Sequence, residues 1–273
     1  MMHAASRDAL AVARAELDDR ASRASVDDLG RLADELFSVV DLLDREPGLR
    51  RGLSESATRP DDRAGMLDAV LGSRLSAETI EVLRHLVRSR WSQPRDLSDS
   101  VEALAEQASL EVAGRDGRMD DVEDELFRFG RIVAAQPELR RLLEDRRAPA
   151  DRRVALLDHL VEGKVQPATH RLLDRVVRAP RGRSLEGAIT DLVHLAADRR
   201  ERYVAYVQAA APFTGEQESR LTSALARIYG RPVSIRLEIV PSLLGGLVIR
   251  VRDEVINGSV LRQLDEARRR LAS

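Results

Sequence analysis

Apolar residues recur three and four positions apart through most of residues 1 to 200, the spacing that puts them on one face of an α-helix. Leu29, Leu32 and Leu36 show it clearly, and Pro47 ends that run, because proline fits only the first turn of a helix. The pattern predicts helices over residues 1–24, 29–43, 60–71, 76–90, 97–112, 122–133, 150–161, 169–178 and 185–200. A short helical segment is expected after Pro47 and again after Pro137.

The pattern changes after residue 202 to a period of two, which is typical of strands with one buried face. Alternation over residues 233–240 and 247–251 predicts two strands, and residues 202–213 have high β-propensity. Thr214 and Gln217 fit a capping box for a helix over residues 216–229. Asn257 and Gly258 predict a turn, after which Ser259 would cap a final helix. The tail therefore reads as a small α/β unit.

The chain also repeats itself. Residues 34–88 align without gaps onto residues 124–178, with 17 identities in 55 positions, where this composition gives roughly five by chance. Most identities are apolar or lie at helix boundaries, as a duplicated helical fold requires. The predicted fold class is mainly α, with two tandem copies of a helical bundle over residues 1–94 and 95–181 and a linking helix plus α/β domain over residues 182–273. Residues 92–96 and 114–118 are the candidate links.

Composition narrows the function classes. Of 273 residues, 43% are hydrophobic, 33% are charged and only 3% are aromatic, which suits a globular helix bundle. The 44 basic and 46 acidic residues interleave, so we expect no nucleic-acid partner, which would require a stripe of uncancelled positive charge. No leader or apolar stretch of 18 residues is expected to enter a membrane. The absence of cysteine excludes thiolate chemistry and fits a reducing compartment.

The sequence offers no convincing reactive group. Its five histidines lack the spacing that converges on a metal ion. Gly245 and Gly246 form the one glycine pair that could open a phosphate loop, but no Gly-Lys-Ser/Thr follows them. We therefore expect no catalytic residue, no metal and no cofactor, and predict that the protein is not an enzyme.

Residues 240–271, VPSLLGGLVIRVRDEVINGSVLRQLDEARRRL, resemble the C-terminal signature of the delta subunit family of F-type ATP synthases, whose mitochondrial relative is the oligomycin-sensitivity-conferring protein. The resemblance rests on a glycine pair before an aliphatic strand, an acidic turn, and the Asn-Gly-Ser that opens a helix. Asn257 stands where the family often has Asp. Family members commonly have one N-terminal bundle, so the duplication resembles the enlarged delta subunits of actinobacteria.

The resemblance implies a non-catalytic stator subunit that couples rotation to ATP synthesis. It would hold the N-terminal helices of the alpha subunits at the top of the catalytic head and the b subunit of the peripheral stalk, and would sit at the cytoplasmic face of the plasma membrane, attached only through the complex. The family's alpha-subunit groove lies between the first and fifth helices, which here points to Ala9, Ala13, Leu17, Ile80, Leu83 and Val87. The second copy offers Leu104, Ala108, Leu173 and Val177, and the sequence leaves open which copy binds. The b-subunit contact and family signature fall on Gly245, Gly246, Leu247, Ile249, Asn257, Gly258 and Ser259.

Two other classes compete with the stator interpretation. A helical-repeat adaptor unrelated to ATP synthase would explain the duplication but not the α/β tail. An arginine-rich nucleic-acid-binding regulator would explain the basic residues but not the nearly neutral net charge of −2. An enzyme is the weakest alternative, since no constellation of residues supports one.

Overall fold

A computed structural model describes residues 2–200, 203–229, 233–240, 243, 246–251 and 254–257. The chain divides into two compact units, Met1–Ala197 and Asp198–Ser273. The first unit is helical and holds most of the hydrophobic core. Its helices are α1 (Ala4–Arg23), α2 (Val26–Arg45), α3 (Pro47–Ser54), α4 (Pro60–Leu71), α5 (Ala77–Arg88), α6 (Pro94–Arg115), α7 (Met119–Ala135), α8 (Pro137–Glu144), α9 (Ala150–Val161), α10 (Pro167–Arg178) and α11 (Leu185–Arg200).

The second unit contains a four-stranded sheet and one described helix. Its elements are β1 (Tyr203–Ala209), α12 (Gly215–Tyr229), β2 (Val233–Ile239), β3 (Leu247–Val251) and β4 (Glu254–Asn257), with strand order β2-β1-β3-β4. β1 pairs in parallel with β2 through the α12 crossover, whereas β3 runs antiparallel to β1 and β4. Leu225 of α12 packs with Val207 and Ile235 in a separate small core. The expected fold class, mainly α with a small α/β tail, is confirmed.

The duplication is visible in the order of the helices. The pairs α2/α7, α3/α8, α4/α9 and α5/α10 start within three residues of the same offset, and so do α1/α6 and α6/α11. α6 is therefore the last helix of the first bundle and the first helix of the second. We call α1–α6 the first copy and α6–α11 the second copy.

The shared helix α6 lies at the centre of the helical unit. It packs against α1, α2, α3 and α5 of the first copy and against α7 and α10 of the second. Small side chains such as Ala105, Ala108 and Ser109, all fully buried, let its neighbours approach closely. Because one core continues through this helix, the two copies form one compact unit.

A buried arginine repeated in both copies explains part of the sequence identity. Arg63 is 1% exposed and donates five hydrogen bonds to backbone carbonyls of Glu55, Thr58, Val87, Arg88 and Ser89. Its counterpart Arg153, 7% exposed, donates to the carbonyls of Val177 and Arg178. Arg63 on α4 caps the C-terminal end of α5, and Arg153 on α9 caps the C-terminal end of α10. The last carbonyls of a helix have no donor within the helix, and these guanidinium groups supply one.

A repeated glutamate closes the opposite ends of these helices. Glu35 on α2 accepts hydrogen bonds from the Ser76 amide at 3.0 Å and from the Thr79 hydroxyl at 2.5 Å, at the start of α5. Glu125 on α7 accepts from the Gln166 amide at 2.9 Å and from the Thr169 hydroxyl at 2.5 Å, at the start of α10. The identical polar pairs in the two copies are therefore structural, since each fixes the fifth helix of its copy.

Several expectations need correction. Residues 92–96 do not form a link throughout, because α6 begins at Pro94 and Asp96 is buried, where it accepts a 2.7 Å hydrogen bond from Ser6. Where the sequence predicts an acidic turn before Asn257, the structure has a fourth strand, β4, and Asn257 is its last residue. The two compact units divide after Ala197, and α11, expected as a linking helix, buries apolar residues in the helical core, namely Leu185, Ala188, Ile189, Leu192 and Ala196. Gly258 and Ser259 lie outside the described residues.

Candidate interaction surfaces

The structure brings the expected groove residues of the first copy together along the contact between α1 and α5, but below the surface. Ala13 and Leu17 are 4% and 1% exposed, and Ile80, Leu83 and Val87 are buried to a similar degree. Ala9 is half-buried and packs at the edge of this core. These residues hold α1 and α5 together, and Ala9 is the one that reaches the surface.

Polar side chains form the surface of the α1–α5 seam. His85 Nδ1 on α5 lies 2.7 Å from Glu16 Oε2 on α1, and both side chains are about one-third exposed, at 35% and 31%. Glu16 also pairs with Arg20 at 2.9 Å. Val12, one turn before Glu16 and on the same side of α1, is 56% exposed. The accessible part of the seam therefore combines half-buried Ala9, exposed Val12 and a charged rim.

The corresponding seam of the second copy lies inside the shared core, because its first helix, α6, also packs against α1, α2, α3 and α5 of the first copy. Leu104, Ala108, Leu173 and Val177 are all at most 1% exposed. They lie on α6 and α10, which contact each other inside the shared core. Sequence periodicity placed these residues correctly on apolar faces, but it could not show that the other copy covers those faces.

A network of charged side chains joins the two copies, and sequence reasoning missed it; its three central members, Glu102, Arg175 and Arg181, are buried. We call it the clasp, and it consists of Asp41, Asp44, Asp99, Glu102, Arg175, Arg181 and Arg183. Glu102 Oε1 accepts from Arg175 Nε at 3.0 Å, and Glu102 Oε2 accepts from Arg181 at 2.9 Å and from Arg183 at 3.2 Å. Arg175 also donates to Asp41, and these pairs connect α2 and α6 with α10 and the segment that follows it.

Arg181 has the most restrictive position in the clasp. Its φ of 49° lies in the left-handed region, which costs a non-glycine residue roughly 1–2 kcal/mol. Its side chain, 7% exposed, contacts Asp44 at 3.0 Å and Asp99 at 2.8 Å and donates to the Ser98 hydroxyl at 2.7 Å. These contacts hold the strained backbone in place. They also tie the segment after α10 to α2 and α6, since Asp44 lies on α2 and Asp99 on α6.

Burial raises the pKa of two carboxyl groups, one in the clasp and one next to it. Burial raises the pKa of Asp99 although Arg181 and Arg95 act to lower it. Glu106 lies one turn after Glu102 on α6, and burial together with the Glu102 charge raises its pKa to about 7. The pKa of Arg175 is also raised, but for a different reason. Burial acts to lower it, and the charges and hydrogen bonds of Glu102 and Asp41 outweigh that effect. The clasp therefore favours the charged form of the Arg175 guanidinium.

The second copy exposes an apolar groove between α7 and α11. Phe127 is 54% exposed at its edge, and the groove of about 270 Å³ is lined in part by Gly130, Ile189 and Val193. A Cβ atom on Gly130 would lie 3.2 Å from Ile189 Cγ2, so the two helices approach closely at that point. The exposed phenylalanine is the only hint of this surface in the sequence, and there it reads as an ordinary core residue.

In the second unit, the signature residues occupy the region around β3. Gly246 has φ of +81°, a conformation that glycine adopts without strain, and precedes the strand. Leu247 is half-buried and Ile249 is 7% exposed, so both belong to the core of the sheet. Asn257 ends β4. Gly245, Gly258 and Ser259 lie outside the described residues.

Among the residues that the structure describes, no group of three or more metal-ligating side chains comes together. His170 pairs with Asp158 at 2.7 Å on the surface between α10 and α9. No helix in the described ranges combines the length and the apolar character needed to cross a bilayer. The features described above are apolar faces and structural ion pairs, which suit contacts with other proteins.

Comparison with known proteins gives a consistent result. A family model described as "ATP synthase delta (OSCP) subunit" matches residues 105–271. "ATP synthase subunit delta" of Streptomyces griseus subsp. griseus is 50% identical over 99% of this chain and 100% of its own length. The proteins of that name from Thermobifida fusca and Salinispora arenicola are 44% and 43% identical, each over at least 99% of both chains. The likeness thus includes the duplicated helical part as well as the tail.

Proposed function

The chain belongs to the ATP synthase delta (OSCP) subunit family, a stator component of that enzyme, and we propose that it links the N-terminal helices of the alpha subunits to the b subunit of the peripheral stalk. In this role it would be a structural subunit that catalyses no step itself. The observation that carries the proposal is the full-length likeness to actinobacterial delta subunits. That likeness argues against an adaptor unrelated to ATP synthase.

The helical unit has the mechanical properties that a stator needs. A subunit that resists torque must transmit force without opening internal hinges, and such hinges require weakly packed segments. One hydrophobic core passes through the shared helix α6, and the clasp locks α10 onto α2 and α6. These features support transmission of load through the whole helical unit.

We place the alpha-subunit contact on the surface of the α1–α5 seam of the first copy. The buried residues Leu17 and Leu83 would set the spacing of the two helices, while Ala9, Val12 and the rim formed by Glu16 and His85 would meet an incoming helix. The equivalent seam of the second copy is covered, which favours a single site for this contact in the chain. An amphipathic helix lying in a shallow groove is a common mode of recognition.

For the b subunit we propose the second unit, around Gly246 and β3. Leu247 and Ile249 would support this surface from within, because both pack in the small core. Through these contacts the protein would sit at the cytoplasmic face of the plasma membrane as a peripheral part of the complex. This assignment rests on the family resemblance of the tail.

Calorimetric titration of the full chain with a peptide of its organism's alpha-subunit N-terminus tests the head contact. We expect one binding site per chain and no binding of a scrambled peptide. Val12→Glu should weaken binding at least tenfold, because it places a charge on the exposed face of α1. Val70→Glu, on a position that is 40% exposed on α4, is the matched control and should leave binding unchanged. Two sites of equal affinity, or equal loss in both variants, would contradict the assignment.

Deletion of residues 92–181 tests the second copy, which we propose braces the stator. The deletion joins α5 to α11, the counterpart of α6, and so preserves a six-helix order. We expect the shortened chain to keep alpha-peptide binding but to reduce the coupling of ATP hydrolysis to proton movement in reconstituted vesicles. Full coupling by a folded, assembled deletion variant would refute a bracing role.

A further inference from the structure

The apolar groove between α7 and α11 has a covered counterpart in the first copy. There, Phe37 on α2 occupies the position of Phe127, yet it is only 9% exposed. α10 of the second copy lies over it, with the Arg175 guanidinium carbon 5.6 Å from the centre of the Phe37 ring. Arg171 of the same helix donates to Asp34 at 2.6 Å. The internal repeat thus shows how this face is covered when a helix is available.

The second copy presents the same face with no helix over it among the described residues. Phe127 is 54% exposed at the edge of the groove. The described helical unit ends with α11, so the helix that would correspond to α10 in a third copy is not part of it. An exposed aromatic ring next to a groove is typical of an anchor point for a partner.

We propose that the α7–α11 groove binds one amphipathic helix from another subunit of the ATP synthase, laid over Phe127 as α10 is laid over Phe37. This inference rests on the proposed stator function, since it takes the partner from the same complex. It adds a contact on the side of the second copy, distinct from the α1–α5 seam.

The groove lining includes Arg131, Glu186 and His194. Glu186 is already paired with Arg140 at 3.3 Å, so Arg131 specifies the chemistry of the partner helix. In the first copy, Arg175 of the covering helix meets carboxylates of Asp41 and Glu102. At the same offset the second copy has Arg131 in place of Asp41 and Leu192 in place of Glu102. A helix with an arginine at that point would face Arg131 across a partly apolar surface and would be repelled. The partner helix should instead carry an apolar stripe with a carboxylate placed to meet Arg131.

The need for a carboxylate opposite Arg131 argues against α10 of a second copy of this chain as the partner helix. The covering helix α10 carries Arg171, Arg175 and Arg178 along its length, and Arg175 is already buried in the clasp. An α10 from another copy would bring arginine to Arg131 and would have to leave its own bundle. A different subunit with an acidic amphipathic helix fits both the shape and the charge.

Site-specific photocrosslinking in the assembled, purified complex tests the proposal. The full chain would carry p-benzoylphenylalanine in place of Phe127, with the same probe at Met66, a position 40% exposed on α4, as the control. We expect a crosslink from position 127, absent from the control, to a helical segment of another subunit that contains acidic residues. Arg131→Glu should reduce the crosslink at least fivefold, whereas Arg152→Glu, on the exposed surface of α9, should leave it unchanged.

Other outcomes would overturn the inference. They are a crosslink within the same chain, to a second copy of it or to a basic segment, no crosslink in a fully assembled complex, or an equal effect of the two charge reversals. Assembly and coupled ATP synthesis are measured on the same samples. If the complex assembles and couples without the crosslink, the groove assignment fails and the stator function stands. If the unmodified chain fails to join the complex, the stator function itself fails.

Discussion

The two buried arginines of the repeat provide an internally controlled test of how much backbone capping stabilises this fold. Arg63 and Arg153 are copy-related, and both are buried, at 1% and 7% exposure. They differ in the number of carbonyl oxygens they satisfy, which is five for Arg63 and two for Arg153. Replacement by methionine keeps an unbranched side chain but removes every donor.

The expected cost follows from the number of bonds. At a net contribution of about 1 kcal/mol for each hydrogen bond, Arg63→Met should lower the free energy of unfolding by about 5 kcal/mol and Arg153→Met by about 2 kcal/mol. The difference of about 3 kcal/mol is the more secure quantity, because the lost charge and the change in side-chain volume are common to both variants.

Urea denaturation, monitored by tryptophan fluorescence, measures the free energy of unfolding of the helical unit, which contains both arginines. The protein has a single tryptophan, Trp91, which is 6% exposed in the helical unit and donates from Nε1 to the Leu86 carbonyl at 2.8 Å. The exposed copy-related pair Arg51→Met and Arg141→Met is the control and should change stability by less than about 0.5 kcal/mol. Equal losses for Arg63→Met and Arg153→Met would refute the reasoning.

Three further predictions concern protons and glycines. Because its folded-state pKa is raised to about 7, Glu106 should make the wild type less stable as pH rises from about 4.5 through 7, and Glu106→Gln should remove this loss in urea titrations at each pH. Hydrogen bonds from Thr79 and Ser76 outweigh the effect of burial and lower the pKa of Glu35, so its stabilising effect is present above the unfolded-state pKa and disappears as pH falls through the folded-state pKa. Glu35→Gln should therefore flatten the acid limb of the stability curve, and an unchanged acid limb would contradict this. Gly65→Ala, in the exposed interior of α4, should stabilise the protein by about 0.5–1 kcal/mol, whereas Gly163→Ala, at φ +70°, should destabilise it by about 1 kcal/mol in thermal melts.

Local signals predicted the helices well. Pro60 and Leu71 bound α4 as expected, because proline at a first helical position and the apolar periodicity both act within a few residues. The capping box of α12 is present, with Thr214 and Gln217 bonded reciprocally at 2.9 and 3.3 Å. α10 starts at Pro167 rather than at Thr169, because Thr169 bonds Glu125 of another helix instead of capping its own.

The candidate surfaces were less predictable, because they depend on which faces meet. Leu17 and Leu173 lie at helical positions that could either bind a partner at the surface or pack in the core, and in the structure other helices cover both. Phe37 and Phe127 are an identical pair in the repeat, yet one is buried and the other exposed, since among the described helices α10 lies over the first and none lies over the second. Among 44 basic residues, nothing local distinguishes Arg175 from its neighbours until the fold brings Glu102 to it.

Because α6 belongs to both copies, the first copy can fold before the second during synthesis. Chains fold from the N-terminus as they leave the ribosome, so α1–α6 can close a complete six-helix bundle before α7 has been made. The face of α6 that later meets α7 and α10 is then already in place as a template. The second copy has no such independence, because a chain that began at α7 would lack its first helix. The second copy therefore depends on a helix that is made before it. A chain whose synthesis stops after α6 can still form the complete first bundle.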